Sequence, residues 1–371
     1  MKFRIDESFA VKYRPRLLED FIGQSEVVSI LQGMFERRKI ARSILIIGET
    51  GTGKTSIARM IARYVNCQGK KIPCNKCESC LREISEHPDV HEINMGDKTG
   101  IDFMRELINS ANYAPQSNFR IFILDELHAV SQNSIAAFLK PLEEPPPNTI
   151  WILVTTNPEK LPATVRGRCL KLHMKPVDPR ETAKLLKRVC KKERIKIPKQ
   201  TLLQIAELCG GQPRDSLQGL EAVVNYVSSG ESKVDAESLL SVVQETLGYT
   251  RSDLIIQYLL SVYSGKYTSA IKSIHQVSTS YESFIRTLID YHINAIYSKV
   301  SPKLCSHYYD YQRFFEHLKK YKLDNLPKGT MLDILDILVD ASNKVRYAVD
   351  PKHVLIAATF RIVHVAGGKN S

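Results

Sequence analysis

The chain has 371 residues, 43% of them hydrophobic and 25% charged, and a formal net charge of +12. Its length predicts two or three domains with cores of their own. It has no apolar run of about 18 residues and no charged-then-apolar N-terminus, so a membrane span, a membrane partner and a signal peptide are not expected, and a cytoplasmic protein is. Eight cysteines in such a chain argue against a disulfide framework, and the positive charge favours a polyanionic partner without identifying one.

The N-terminal stretch holds Val11-Lys12-Tyr13-Arg14-Pro15 and Asp20-Phe21-Ile22-Gly23-Gln24, a polar entry segment and a turn. A helix is predicted from Ser25, with Val28, Leu31 and Phe35 on one face. Ser43 to Ile47 is a β-branched apolar run that reads as a buried strand, and Ser56 to Arg63 has apolar residues at helical spacing. Between them lies Gly48-Glu49-Thr50-Gly51-Thr52-Gly53-Lys54-Thr55, which reads G-x-x-x-x-G-K-[ST]. Such a turn aims backbone N–H groups and the positive end of a helix dipole at one point, which suits a polyphosphate. Lys54 would reach its β and γ phosphates, and the Thr55 hydroxyl would ligate Mg²⁺. The plainer alternative, a glycine-rich turn that binds nothing, leaves the strand, the helix and the GKT run as coincidence.

Cys67-x6-Cys74-x2-Cys77-x2-Cys80 follows. Thiolates at these spacings can converge on one tetrahedral ion, and two overlapping C-x-x-C steps predict a structural zinc module. Free thiols are the alternative. His87 and His91 lie close by and are expected to be ordinary surface or strand histidines, because four sulfurs already close the shell.

Asp89 to Met95 alternates like a strand, and Gly100 to Tyr113 reads as a helix. Phe119 to Glu126 is a hydrophobic run ending in two acids, the way a buried parallel strand delivers carboxylates beside the first strand-to-helix turn. Asp125 would hold the Mg²⁺ shell, and Glu126 would orient and deprotonate the attacking water; a solvated strand end is the alternative. Ser131 is predicted to cap a helix that runs through Leu142. Thr149 to Thr156 is a fourth buried strand, with Trp151 in the core and Thr155 and Thr156 at its polar end. Arg166, Arg168 and Cys169 are expected in a loop before a short strand, Leu170 to Met174.

Lys175-Pro176 marks a boundary. Helices are predicted over Pro179–Lys192, Pro198–Cys209, Pro213–Ser228 and Ala236–Val243, with Arg214 in the first turn of the third. Eight basic residues fall between Lys184 and Lys199; a solvated face is favoured over contact with a phosphate backbone. From Ser252 onward the chain is helical, with Leu254, Ile255, Tyr258 and Leu259 on one face and Phe284, Leu288, Ile289 and Ile293 on another. Two long amphipathic segments, Met331–Ala348 and His353–Ala366, complete it. The expected fold class is an α/β P-loop module (1–175) with an inserted zinc module at 67–80, then an all-α domain (176–243) and a second all-α domain (244–371).

These pieces together resemble the DNA polymerase III gamma/tau family, the ATPase subunits of bacterial-type sliding-clamp loaders. The likeness rests on Tyr13-Arg14-Pro15, Ile22-Gly23-Gln24, Gly48–Thr55, the four-cysteine insertion and Asp125-Glu126-Leu127-His128. It continues through Leu139–Pro146, Thr155-Thr156-Asn157-Pro158, Gly167-Arg168-Cys169, Gln212–Leu217 and Tyr347–Pro351. The resemblance implies an AAA+ module, a helical lid and a collar that joins other clamp-loader subunits in a ring-like pentamer. It further implies a loader that grips a sliding clamp when ATP is bound, closes it around primer–template DNA, and lets go on hydrolysis.

By the same resemblance Gly48 to Ser56 would hold ATP, and Tyr13, Arg14, Ile22 and Gly23 would line its base and ribose pocket. Thr156 would sense the γ-phosphate, Arg214 would contact ATP from the lid, and Arg168 would reach into a neighbour's site. The helix over Asn133–Leu142 and the proline run after it would face the clamp, and Lys98 and Thr99 would touch the DNA backbone. Gly167 stands where the family usually has serine, which implies a more mobile arginine loop. The chain ends soon after the segment that resembles the collar, like the shorter gamma form, and is expected to lack the tau extension. A non-hydrolysing stator subunit and another AAA+ nucleic-acid motor are the alternatives; Gly53-Lys54-Thr55 with Asp125-Glu126 disfavours the first, and the cysteine insertion the second.

Overall fold

Five short runs of β-branched and aromatic residues form one parallel sheet. They are β1 (Ser43–Ile47), β2 (Val90–Asn94), β3 (Arg120–Asp125), β4 (Thr149–Thr155) and β5 (Leu170–His173), in the order β2-β3-β4-β1-β5. The computed structural model describes residues 7–97, 100–228, 236–301, 309–323 and 326–367, so Lys98 and Thr99 lie outside the described residues.

The inner strands are buried on both faces, as a parallel sheet covered by helices requires. Alternate residues divide between two cores. Ile44, Ile46, Ile121, Ile123, Ile150 and Ile152 pack with Leu31, Ile57 and Ile61, which belong to α1 (Ser25–Glu36) and α2 (Lys54–Val65). Leu45, Phe122, Leu124, Trp151 and Leu153 pack on the other face with Met104 and Leu107 of α3 (Ile101–Ser110) and with Ile135 and Phe138 of α4 (Gln132–Glu143). Trp151 is a core residue, its ring centroid 4.6 Å from Phe122 and 4.8 Å from Phe138. Ser131 caps α4 by accepting the Ser134 N–H. Because every strand runs the same way, their C-terminal ends gather the polar residues along one edge.

The segment expected to be a loop before β5 is a short helix instead, α5 (Ala163–Arg168), so Arg166 and Arg168 lie in its last turn. The fully buried Val165 anchors that turn in the core, and the Val165 and Arg166 N–H groups both donate to the Pro162 carbonyl. A Cβ at Gly167 would meet nothing within 4 Å.

The chain forms two compact units, one of Met1–Lys196 with Cys209–Leu217 and one of Ile197–Leu208 with Gln218–Ser371. The first takes in α6 (Pro179–Lys192), while α7 (Lys199–Leu208) belongs to the second; α8 (Pro213–Ser228) begins in the first and continues in the second. The second unit is helical, with a core that includes Tyr258, Phe284, Leu288, Phe314, Ile334 and Leu338. Its buried His292 donates from Nε2 to the Met331 carbonyl at 2.7 Å and accepts the Tyr263 hydroxyl at Nδ1. Burial pushes this histidine down to about 4, so it is neutral and both ring nitrogens are satisfied. No described helix is long and apolar enough to cross a membrane.

Candidate nucleotide site and cysteine cluster

The loop between β1 and α2 can close only because of its glycines. Gly51 and Gly53 have φ of +78° and +98°, and a Cβ on Gly48 would stand 2.7 Å from the Met174 carbonyl oxygen. Within the loop, the Thr52 hydroxyl and the Lys54 ammonium both donate to the Glu49 carbonyl, each at 2.8 Å. Lys54 opens α2 and is 7% exposed. Burial lowers its pKa, and the carboxylates of Glu126, Asp125 and Glu49 oppose that shift. A buried ammonium facing carboxylates at a helix N-terminus forms a strongly polar recess, suited to a bound anion with its counter-cation.

The end of β3 supplies the acids. Asp125 Oδ2 accepts the Thr55 hydroxyl at 2.7 Å, which brings together the two residues expected to share a magnesium ion. Glu126 is held in the left-handed region at φ +53°, a conformation that costs a non-glycine residue about 1–2 kcal/mol. Its N–H donates to Asp125 Oδ1 at 2.9 Å. Its Oε2 lies 3.2 Å from both the Thr156 hydroxyl and His128 Nδ1, and His128 Nδ1 is 3.1 Å from the Thr155 hydroxyl. Thr155 and Thr156 at the end of β4 therefore position the glutamate and its histidine neighbour. Sequence reasoning gave His128 no role; the signal was its place two residues after the acid, where the 3-10 turn Leu127–Ala129 brings it back beside the carboxylate.

Two further segments border the phosphate loop. Gln212, just before α8, places Oε1 2.9 Å from where a Gly51 Cβ would sit, so Arg214, exposed in the first turn of α8, starts beside the loop. Phe21 approaches from the N-terminal segment, 3.4 Å from a Cβ on Gly53. Next to it, Ile22 is half-buried, and Gly23 turns at φ +66° against Val177. Gln24 bonds the Lys175 backbone twice, at 2.7 and 3.1 Å, and fixes this segment to the end of β5.

Tyr13 and Lys12 both donate to Glu193, just past α6. Burial and the Glu193 carboxylate push the Tyr13 phenol up to about 12. Arg14 is half-buried beside it. Arg168 has different neighbours: its Nε donates to Glu143 Oε2 at 3.0 Å and its Nη1 to the Thr164 carbonyl at 2.9 Å.

The four cysteines also converge. The sulfurs of Cys67, Cys74, Cys77 and Cys80 all lie within 4.8 Å of one another, with Cys74 and Cys80 3.9 Å apart. An S₄ tetrahedron with bonds of about 2.3 Å has edges of about 3.8 Å, so the cluster fits one zinc ion. N–H groups of Gly69 and Cys74 point at the Cys67 sulfur, at 3.4 and 3.3 Å, and that of Cys77 points at the Cys74 sulfur, at 3.2 Å. Backbone donors hold the Cys74 thiol down at about 6, whereas burial pushes Cys80 up to about 12. His87, expected at the surface or in a strand, is instead buried just past the 3-10 turn Ile84–Glu86. It accepts the Asp89 N–H at Nδ1, so Nε2 carries the proton and donates to the Ser79 hydroxyl at 3.0 Å. It is a post between the cysteine loop and the sheet. His91 stacks on Phe122 with centroids 5.0 Å apart.

Comparison with known proteins yields a consistent set. A family model described as DNA polymerase III, delta subunit, matches residues 23–178. The DNA polymerase III subunit gamma of Buchnera aphidicola subsp. Baizongia pistaciae is 30% identical over 285 residues, 76% of this chain and 75% of that protein. The DNA polymerase III subunit tau of Escherichia coli is 33% identical over 239 residues, 63% of this chain but only 36% of its own length. The tau subunit of Bacillus subtilis is 26% identical over 94% of this chain and 62% of itself. This chain thus spans three quarters of that gamma protein and about a third of the E. coli tau protein. Among solved structures, the Thermotoga maritima RuvB Holliday junction branch migration motor superposes with a TM-score of 0.52 at 18% identity, covering 74% of this chain and 91% of that one. That likeness shows the fold alone, a five-stranded parallel sheet with its flanking helices.

Proposed function

Because this chain belongs to the DNA polymerase III gamma/tau family, we propose that it is an ATP-hydrolysing motor subunit of a sliding-clamp loader. The observation that carries this reading is the acid pair at the end of β3. Asp125 is bonded to Thr55, and Glu126 is held by Thr156 and His128 beside a buried Lys54. A subunit that only braced its neighbours would need none of these contacts.

In this reading Gly48 to Ser56 wrap the phosphates with backbone N–H groups, and Lys54 reaches the terminal ones. Thr55 and Asp125 hold Mg²⁺, which when bound neutralises charge on the β- and γ-phosphate oxygens. Glu126 orients and deprotonates the attacking water, and Thr156 keeps that carboxylate aimed. Tyr13, Arg14, Ile22 and Gly23 line the base and ribose pocket, and Arg214 contacts the nucleotide. Arg168 serves a neighbouring subunit's site. Residues 1–175 form the AAA+ module, 176–243 the lid and 244–371 the collar of a ring-like pentamer. Its partners are the clamp and primer–template DNA, in the cytoplasm.

Glu126→Gln supplies the test. The variant is expected to bind ATP with wild-type affinity and to hydrolyse it about 10²–10⁴-fold more slowly, the usual worth of a positioned base. Unchanged turnover would remove Glu126 from the mechanism. The match to a family model described as the delta subunit favours one second reading, a non-hydrolysing stator. Steady-state ATPase rates with and without clamp and primed DNA separate the two, since only the motor is stimulated.

Cys67, Cys74, Cys77 and Cys80 hold a structural zinc in the same reading, with no part in hydrolysis. Metal analysis should find about one zinc per chain. The Cys74→Ser/Cys80→Ser double variant should carry none and melt several degrees lower; full zinc content in that variant would locate the metal elsewhere.

A further inference from the structure

Helix α6 presents a row of cations that the nucleotide site does not use. Arg180, Lys184, Lys187, Arg188, Lys191 and Lys192 are all exposed, while Thr182, Leu186, Val189 and Cys190 are buried. At about 100° per residue the six cations fall within about 140° of the helix circumference, opposite the buried side. Arg180 to Lys191 covers about 17 Å of axis, with a cation every three or four residues; that equals about five phosphate steps of one DNA strand.

A solvated face does not account for this row. Arg180 with Lys184, Lys184 with Arg188, and Lys187 with Lys191 are like charges four residues apart, which destabilises a helix. Arg180 also stands in the first turn, where the helix dipole disfavours a cation. Lys184 pairs with Glu181, and Lys192 lies 5.5 Å from the Tyr13 ring centroid. Arg180, Lys187, Arg188 and Lys191 make no ion pair among the described residues.

We infer that this face of α6 is a binding surface for the phosphate backbone of duplex DNA, read without regard to base sequence. A regular row of cations matches a regular row of phosphates. A protein partner would need apolar or aromatic surface to bury, and the exposed side of α6 offers none. The inference deepens the DNA-binding part of the function proposed above by giving it a place on the molecule.

The test uses the full chain and a variant with Lys184, Lys187, Arg188 and Lys191 all replaced by glutamine. Binding of a fluorescein-labelled duplex of about 20 base pairs is followed by anisotropy between about 50 and 200 mM KCl. The variant should bind at least about tenfold more weakly at the midpoint of that range, and its plot of log K against log salt should be shallower by about 3–4, near 0.9 per lost phosphate contact. Equal affinity and slope in the two proteins would overturn the inference, as would a wild-type chain that ignores duplex DNA. Wild-type binding of labelled poly-glutamate as tight as that of DNA at matched salt would also overturn it, in favour of an acidic polypeptide. Melting temperatures check that the variant folds. Binding of a fluorescent ATP analogue, measured on both proteins, reads the nucleotide function separately, so either conclusion can fail without the other.

Discussion

Lys54→Ala is expected to eliminate nucleotide-dependent activity while leaving the fold intact. The ammonium is buried at the start of α2, where burial lowers its pKa and three carboxylates oppose the shift. Its hydrogen bond goes to the Glu49 carbonyl, an acceptor that water can satisfy at the half-exposed loop. Removing the side chain also removes a desolvated charge, so unfolding should occur near the wild-type temperature. Binding should suffer instead. Two charge-assisted hydrogen bonds to phosphate, at about 1.5–3 kcal/mol each, correspond to about 10²–10⁴ in affinity. Turnover should fall further, because the negative charge that develops toward the leaving phosphate in the transition state loses a positioned cation. Titration calorimetry with ATP decides it: affinity within about threefold of wild type would place the phosphates somewhere other than this loop.

Arg168→Ala should cost about 10³–10⁵ in hydrolysis within an assembled loader, with little effect on nucleotide affinity of the isolated chain. The guanidinium is oriented before any neighbour arrives, since Glu143 takes Nε and the Thr164 carbonyl takes Nη1. Nη2 has no hydrogen-bond partner among the described residues and is the group left to offer. Lysine should not rescue the variant, because an ammonium cannot bond Glu143 and a phosphate through one planar fork. The measurement is a mixing experiment with Arg168→Ala and Glu126→Gln chains. Neither alone hydrolyses ATP well, but a mixed assembly should regain activity at interfaces that pair an intact Arg168 with an intact Glu126. If assembled Arg168→Ala loaders hydrolyse ATP at the wild-type rate, the arginine does not act across an interface.

The difference between these two residues is also a difference in what could be read from the chain alone. Lys54 and its loop were legible because a strand, a glycine turn and a helix N-terminus are consecutive in sequence, and the backbone fixes their geometry. Asp125 and Glu126 were legible for a related reason, since an apolar strand that ends in acids delivers them to the sheet edge. The cysteine cluster needed only short spacings. Arg168 was singled out by its motif, but its setting was misjudged. The segment reads as a polar loop, yet burial of Val165 winds it into α5 and sends the arginine to Glu143.

The sequence by itself determined the strands of the sheet, the helices around it, the phosphate loop, the acid pair and the four converging thiols. In each, the pattern repeats with the period of the backbone or lies within one turn of chain. Only the tertiary structure decided which side chains hold these groups in place: His128 and Thr156 on Glu126, Gln212 against Gly51, Glu193 on Tyr13 and His87 behind the cysteine loop. Most of those contacts join residues dozens to nearly two hundred positions apart, and His128 needs a 3-10 turn to reach back. The long-range pairings among them are products of packing and of satisfying buried polar atoms, for which no local spacing carries a signal.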